Sequence, residues 1–217
     1  MVHARHMSES IQVQGEEWVA TTATGPHPED MSDKSRLEFL YEELERLPPG
    51  VTGEIIGGEL YVSPGPRIVH SRAATRLTMQ LSPFDEGEGA AKPGGWVILF
   101  EPRLHLREDV LEPDLAGWRR ERMPEMPDTV GTDLAPDWVC EVLSPSTETM
   151  DRKQKMAVYA REAVKHLWLV DPRRRTLEVY RLQDADWLKL GVHAGDAVVH
   201  AEPFEARPLK LASLWER

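Results

Sequence analysis

The stretch from Trp138 to Leu182 constrains the fold most, because apolar runs alternate there with one amphipathic run. "WVCEVL" and "HLWLVD" are typical of buried strands. Between them, "DRKQKMAVYAREAV" places Met156, Tyr159 and Ala160 on one side of a helix. "TLEVYRL" follows the turn "PRRR" and predicts a further strand. Strands flanked by helices indicate an α/β or α+β fold.

A hairpin is predicted in "GEIIGGELYV", where Gly57 and Gly58 supply a strong two-residue turn signal. The turn separates two faces, with Ile55, Leu60 and Val62 on one and Glu54, Glu59 and Tyr61 on the other. Helical spacing predicts two more helices, "SRLEFLYEELER" and "IVHSRAATRLTMQL". Further strands are predicted in "WVILF", "RLHL", "DWLKLGVH" and "AVVHAEPF". The expected architecture is a central mixed β-sheet flanked by helices.

A chain of 217 residues is long enough for one ordinary domain, which we assign to 34–217. Residues 1–33 are polar, contain Pro26 and Pro28, and show no clear periodicity, so we expect a flexible N-terminal tail. The first ten residues lack the apolar segment of a secretory signal, and no apolar run approaches the length of a membrane span. We therefore expect a cytoplasmic protein without membrane contact.

The charge of the chain is unevenly distributed. The formal net charge is −11, which taken alone argues against a nucleic-acid partner, because phosphate contacts need Lys and Arg. Residues 144–182, in contrast, hold nine Lys or Arg and five Asp or Glu, a local charge of +4. The single cysteine, Cys140, excludes an internal disulfide and a multi-cysteine zinc site.

Two acids interrupt apolar segments, which is costly for an unpaired carboxylate. Asp114 stands at the head of "LAGW", and Glu141 lies inside "WVCEVL". Two carboxylates on neighbouring strands, with a backbone carbonyl beside them, would make an oxygen-rich site for Mg²⁺. Lys153 and Lys155 follow on the next helix and can stabilise charge there. Acids at strand ends are more often solvated or hydrogen-bonded, so both interpretations stay open.

A specific combination of segments surrounds the second acid: "EVLSPST", then Asp151, Lys155 and Tyr159, then "WLVDP". Matching segments elsewhere are "GEIIGGELYVSPGP", His70, "EPDLAGW" and "FEARPLKLASLW". Together they resemble the Uma-type family of restriction endonucleases, a branch of the PD-(D/E)XK nuclease superfamily. The resemblance covers roughly residues 37 to 215 and implies a restriction-endonuclease-like core.

The resemblance implies roles for individual residues. Asp114 and Glu141 match the two acids of the superfamily, and the carbonyl of Val142 would face a bound Mg²⁺, for which Mn²⁺ can substitute. In the simplest superfamily pattern the lysine stands at the position of Leu143. In the Uma-type pattern it lies on the following helix, and Lys155 matches it. We therefore assign Asp114, Glu141 and Lys155 to catalysis, and Asp114, Glu141 and Val142 to the metal.

Further residues match positions that recur near the family's site. Glu59 matches an additional N-terminal acid, and His70 matches a second recurring position. Glu59 is equally well explained as an exposed hairpin residue, and Glu54 on the same face competes with it. His70 is more commonly a helix-start residue with a local hydrogen bond, and Glu101 lies where it could also reach the site.

The resemblance implies a metal-dependent endonuclease that hydrolyses DNA, and a homodimer would pair two active sites on a duplex. Two alternatives remain: a nuclease fold that binds nucleic acid or protein without cutting, and a hydrolase of a smaller phosphoester. The i,i+4 spacing also allows a simpler interpretation, in which Lys155 forms a surface ion pair with Asp151 and has no catalytic role. If Lys155 is catalytic, we expect Lys155→Ala to leave stability unchanged or raised and to slow the reaction by about 10²-fold.

Overall fold

The computed structural model describes residues 19–20, 33–85 and 93–216. The helices are α1 (Asp33–Glu45), α2 (Ile68–Asp85), α3 (Glu148–Met150), α4 (Met156–Arg161) and α5 (Ala212–Trp215), with a π-helical turn, Asp151–Lys155, joining α3 to α4. The strands are β1 (Val19–Ala20), β2 (Val51–Ile56), β3 (Glu59–Pro64), β4 (Trp96–Phe100), β5 (Arg103–Leu106), β6 (Asp109–Leu111), β7 (Leu115–Arg119), β8 (Gly131–Thr132), β9 (Trp138–Val142), β10 (His166–Asp171), β11 (Thr176–Gln183), β12 (Asp186–Ala194), β13 (Val198–Val199) and β14 (Leu209–Lys210).

The central sheet has the strand order β12-β11-β10-β9-β7-β4. Strands β9 and β10 run parallel, with Trp168 beside Cys140, and their other neighbours in the sheet are antiparallel. A parallel pair needs a long crossover, and the helical segment from α3 to α4 provides it. The predicted mixed sheet flanked by helices is therefore confirmed.

Both faces of the central sheet are buried. On one face, Trp96, Trp138 and Trp168 surround Phe204, with ring centroids 4.9, 4.9 and 5.6 Å from it. On the other face, Tyr159 of α4 packs in the core between the helical segment and the sheet. Because side chains alternate along a strand, β9 directs Cys140 into the tryptophan face and Glu141 toward the helical segment.

A second sheet has the order β1-β3-β2-β6-β5-β8. The predicted hairpin has the expected register, with Ile56 opposite Glu59 and Ile55 opposite Leu60. Helix α1 packs Leu40 against the apolar face of this hairpin. The sequence predicted the hairpin and β5, but it did not predict that they belong to a sheet separate from the central one.

The predicted N-terminal tail meets this second sheet. Val19–Ala20 pairs antiparallel with Tyr61 and Val62 of β3, so these two residues form a strand where a flexible tail was expected. The physical reason is that β3 otherwise exposes unpaired backbone groups at the sheet edge. Residues 1–18 and 21–32, the rest of the predicted tail before α1, lie outside the described residues.

The segment "AVVHAEPF" is not the strand that was predicted. Within it only Val198–Val199 forms a strand, paired with Leu209–Lys210. The chain then turns, with Phe204 N–H bonded to the Ala201 carbonyl at 2.8 Å, because Phe204 enters the tryptophan cluster. None of the helices in the described part of the chain is long and apolar enough to cross a membrane.

Candidate active site

The two acids singled out in the sequence meet where β7 pairs with β9. The register sets Leu115 beside Cys140, so Asp114, one residue before β7, stands next to Glu141. Asp114 is 9% exposed and Glu141 is 2% exposed. The Val142 N–H donates a hydrogen bond to Asp114 Oδ2 at 2.6 Å. This bond holds the Asp114 carboxylate against the end of β9.

Lys155 is buried against a group of carboxylates. Its Nζ lies 2.8 Å from Glu141 Oε1, 3.0 Å from Glu54 Oε1 and 3.6 Å from Asp151 Oδ1. The residue is only 3% exposed, so its contact with Asp151 is part of a buried cluster and is not the surface pair that the spacing allowed. Instead, the ammonium joins acids from both sheets.

The π-helical turn helps to place two donors on Glu141. Lys155 is the last residue of this turn, and Tyr159 follows it at i+4 on α4. The Tyr159 hydroxyl donates to Glu141 Oε1 at 2.6 Å, the same oxygen that Lys155 contacts. Such turns are frequent at functional sites. Sequence reasoning placed Tyr159 on the buried helix face but did not assign it to Glu141.

The structure brings Glu54, and not Glu59, to this group. Glu54 is 1% exposed, and its Oε1 accepts the Glu112 N–H at 2.7 Å. Glu59 is exposed at the hairpin end, where its Oε2 accepts the Tyr61 hydroxyl at 2.9 Å. Both acids share one face of the hairpin, as predicted, but Glu59 stands beside the turn, away from the residues that line the site.

His70, near the start of α2, contacts the first acid directly. Its Nε2 lies 3.0 Å from Asp114 Oδ1, while its Nδ1 is buried without a partner in the described residues. Burial opposes protonation of His70, but the hydrogen bond and charge of Asp114, with Asp151 and Glu101, raise its pKa. The contact between His70 Nε2 and Oδ1 therefore helps to hold the Asp114 carboxylate in place.

These groups line one cavity of about 180 Å³. Its acidic lining residues are Glu54, Glu101, Glu112, Asp114, Glu141 and Asp151. Its other charged or titratable lining residues are Arg67, His70 and Lys155. Ser144, Ser146 and Thr147 also line it. They follow Glu141 by three, five and six residues, and this spacing was a signal that the sequence analysis did not use.

Burial controls the electrostatics of the cavity. It raises the pKa of Glu141 well above its usual value, although Lys155 opposes this effect. Burial likewise raises the pKa of Asp151 to about 6, against the opposing influence of Lys155 and a Thr147 hydrogen bond. For Lys155, burial lowers the pKa, but Glu141 and Glu54 outweigh burial and raise it well above its usual value. The ammonium therefore remains charged beside Glu141 and Asp151, two acids whose pKa burial raises.

The residues present fit a hard divalent cation. Within residues 19–20, 33–85 and 93–216, no three His, Cys, Asp or Glu side chains are arranged to enclose a metal ion. Mg²⁺ does not need such a cage, because it is commonly held by one or two carboxylates and keeps several waters. Asp114 and Glu141 would supply the carboxylates for such an ion. Val142 meets the site through its N–H, which donates to Asp114, and it is not among the residues that line the cavity; the metal contact assigned to its carbonyl stays a prediction.

The locally basic segment 144–182 is largely ion-paired. Arg152 contacts Glu148 and Glu178, and Arg174 lies 2.7 Å from both Glu148 and Asp171. The positive charge counted in the sequence is therefore mostly matched by neighbouring acids and does not form a broad basic surface.

Comparison with known proteins agrees with the fold and the motifs. The family described as "Uma2: Putative restriction endonuclease" matches residues 41–212. A crystal structure of "a putative nuclease belonging to DUF820" from Anabaena variabilis ATCC 29413 has a similar fold, with a TM-score of 0.64 and 22% sequence identity over 81% of this chain and 96% of that chain. No curated protein matches the chain. Because the family match spans most of its length, this chain belongs to the Uma2 family.

Proposed function

We propose that this protein is a Mg²⁺-dependent endonuclease that hydrolyses DNA phosphodiester bonds, with Mn²⁺ able to replace Mg²⁺. The observation that carries the proposal is the cavity in which Asp114, Glu141 and Lys155 meet. Two buried acids beside one buried ammonium are an arrangement that suits a cation and a phosphate together. Membership of the Uma2 family supports the same class of reaction.

Each residue has a task that its contacts support. Asp114 and Glu141 would hold the cation, which neutralises charge at phosphorus and lowers the pKa of a bound water. The Val142 N–H keeps Asp114 oriented toward β9. Tyr159 keeps Glu141 oriented in the same way. Lys155 supplies a fixed positive charge in a water-poor setting, where such a charge stabilises the transition state strongly.

The hydroxyl-bearing residues after β9 complete the cavity wall. The Ser144 hydroxyl lies 2.7 Å from the Ser146 hydroxyl and 3.1 Å from the Thr147 hydroxyl. Hydroxyl groups donate readily to phosphate oxygens, and such contacts position a DNA strand without reading its sequence. We assign these residues to the orientation of the backbone next to the scissile bond.

One observation favours a second candidate, a hydrolase of a smaller phosphoester. Arg152 and Arg174 are engaged by acids, which leaves less free positive charge for an extended DNA backbone. The two candidates differ in the salt dependence of binding, since only contact with several phosphates gives a steep slope of affinity against salt concentration. A titration with a labelled duplex therefore separates them.

The direct test is cleavage of supercoiled plasmid and single-stranded DNA with Mg²⁺, Mn²⁺ or EDTA. We expect cleavage with either ion and none with EDTA. Asp114→Asn and Glu141→Gln should each abolish it, whereas Glu125→Gln, a matched loss of one exposed carboxylate, should not. Full cleavage in EDTA, or by both acid variants, would contradict the proposal.

A further inference from the structure

Glu54 carries one carboxylate oxygen with an unexplained environment. Its Oε1 accepts from Lys155 Nζ at 3.0 Å and from the Glu112 N–H at 2.7 Å. Its Oε2 is buried and has no hydrogen-bond partner in the described part of the chain. A buried polar atom without a partner is rare and is explained by strain, catalysis or a missing water or ion.

The other acids of the cavity do not share this feature. Both oxygens of Asp114 are engaged, Oδ1 by His70 and Oδ2 by the Val142 N–H. Glu141 Oε1 receives both Tyr159 and Lys155. Only Oε1 of Glu54 is needed to hold Lys155. The ion pair with Lys155 therefore does not explain why Oε2 is buried without a partner.

The position of Glu54 suits it to a water molecule in the cavity. The side chain lines the cavity together with Asp114 and Glu141. The terminal torsion of a glutamate is soft, so Oε2 can turn toward the cavity that the Glu54 side chain lines. A water there would have the acceptor it needs beside the positive charge that attracts the phosphate.

We propose that Glu54 is a further catalytic residue whose Oε2 accepts the hydrogen bond, and then the proton, of the attacking water. This inference rests on the proposed function. The water oxygen forms a bond to phosphorus as its proton passes to Oε2. The bond from phosphorus to the leaving sugar oxygen breaks, and that oxygen takes a proton from solvent. Glu54 afterwards returns its proton to solvent.

The test compares Glu54→Gln with wild type in plasmid cleavage at saturating Mg²⁺, alongside calorimetry with Mn²⁺. The amide keeps an oxygen for Lys155 but cannot take a proton. We expect kcat to fall by about 10²-fold or more, the scale of general base catalysis. The Mn²⁺ affinity should fall by less than about tenfold, since the variant removes one nearby charge but no metal ligand. Glu108→Gln, which removes an exposed acid paired with Arg161, is the control and should cleave normally.

The outcomes separate this inference from the proposed function. If wild type cleaves DNA and Glu54→Gln cleaves it at a rate within about threefold of wild type, the role of Glu54 is overturned but the proposed function stands. Wild type that cleaves no DNA with either ion overturns both. If circular dichroism shows that Glu54→Gln does not fold, Glu54→Asp replaces it. That variant keeps the charge opposite Lys155 but withdraws the oxygens by one methylene, so a wild-type rate would again overturn the inference.

Discussion

Replacement of Lys155 by methionine should destabilise the metal-free protein, although the sequence alone predicted unchanged or raised stability for its removal. The difference arises from burial. Lys155 is 3% exposed and is the shared partner of Glu141, Glu54 and Asp151. Methionine fills a similar volume without charge, so three buried carboxylates lose their ammonium together.

Removal of one partner from a buried ion pair typically costs about 3–5 kcal/mol. For a domain of this size each kcal/mol shifts the melting temperature by roughly 2–4 °C, so we expect a loss of roughly 6–20 °C at pH 8. The cost should shrink at pH 5. Burial raises the pKa of Glu141 well above its usual value and that of Asp151 to about 6. An acid whose pKa rises on folding stabilises the fold when it is protonated, and it loses that contribution as pH rises through the folded pKa. At pH 5 these acids are therefore closer to neutral, and the loss of the ammonium costs less.

The measurement is thermal unfolding in EDTA at pH 5 and pH 8, for wild type, for Lys155→Met and for the control Lys153→Met. Lys153 is exposed and lies two residues away, so its replacement should change stability little. If Lys155→Met were as stable as the control at pH 8, the buried charge cluster would not form in solution. A larger loss at pH 5 than at pH 8 would also contradict the reasoning.

Three further outcomes follow from other contacts. Asp114→Asn should abolish Mn²⁺ binding in calorimetry, and binding as tight as that of wild type would remove Asp114 from the metal site. Burial raises the pKa of Glu178, but hydrogen bonds from Arg152, Lys189 and Tyr180 outweigh burial and lower that pKa to about 2. Its contribution to stability should therefore be lost as pH falls from about 4.5 toward 2, and urea unfolding of Glu178→Gln should lack that loss. Deletion of residues 1–32, which removes β1, should lower the melting temperature by more than deletion of 1–17; equal values would mean that the β1 pairing adds no stability.

The long elements could be predicted because each carries its own periodicity. Strands β9, β10 and β11 are mostly apolar and mostly buried, and the helix between β9 and β10 has one buried face. Short strands such as β6 and β8 carry no such pattern, because backbone pairing to a neighbour defines them. The division into two sheets depends on those short pairings, so it could not be inferred from residue patterns.

The site was predictable to a similar extent. Local spacing and family resemblance identified Asp114, Glu141 and Lys155, which the fold brings to one cavity. The choice between Glu54 and Glu59 could not be made from the sequence, because both point to the same face of the hairpin. It depends on which end of that hairpin meets the central sheet, a tertiary property.

The charge balance of the cavity links metal binding to protonation. The cavity is lined by six carboxylates and by three groups that can carry positive charge, Arg67, His70 and Lys155. With all of them ionised, the lining carries an excess of three negative charges, which burial makes costly. Proton uptake reduces the excess, as the raised pKa values of Glu141 and Asp151 indicate. A divalent cation reduces the same excess, so protons and Mg²⁺ should compete for this site, and metal affinity should rise with pH.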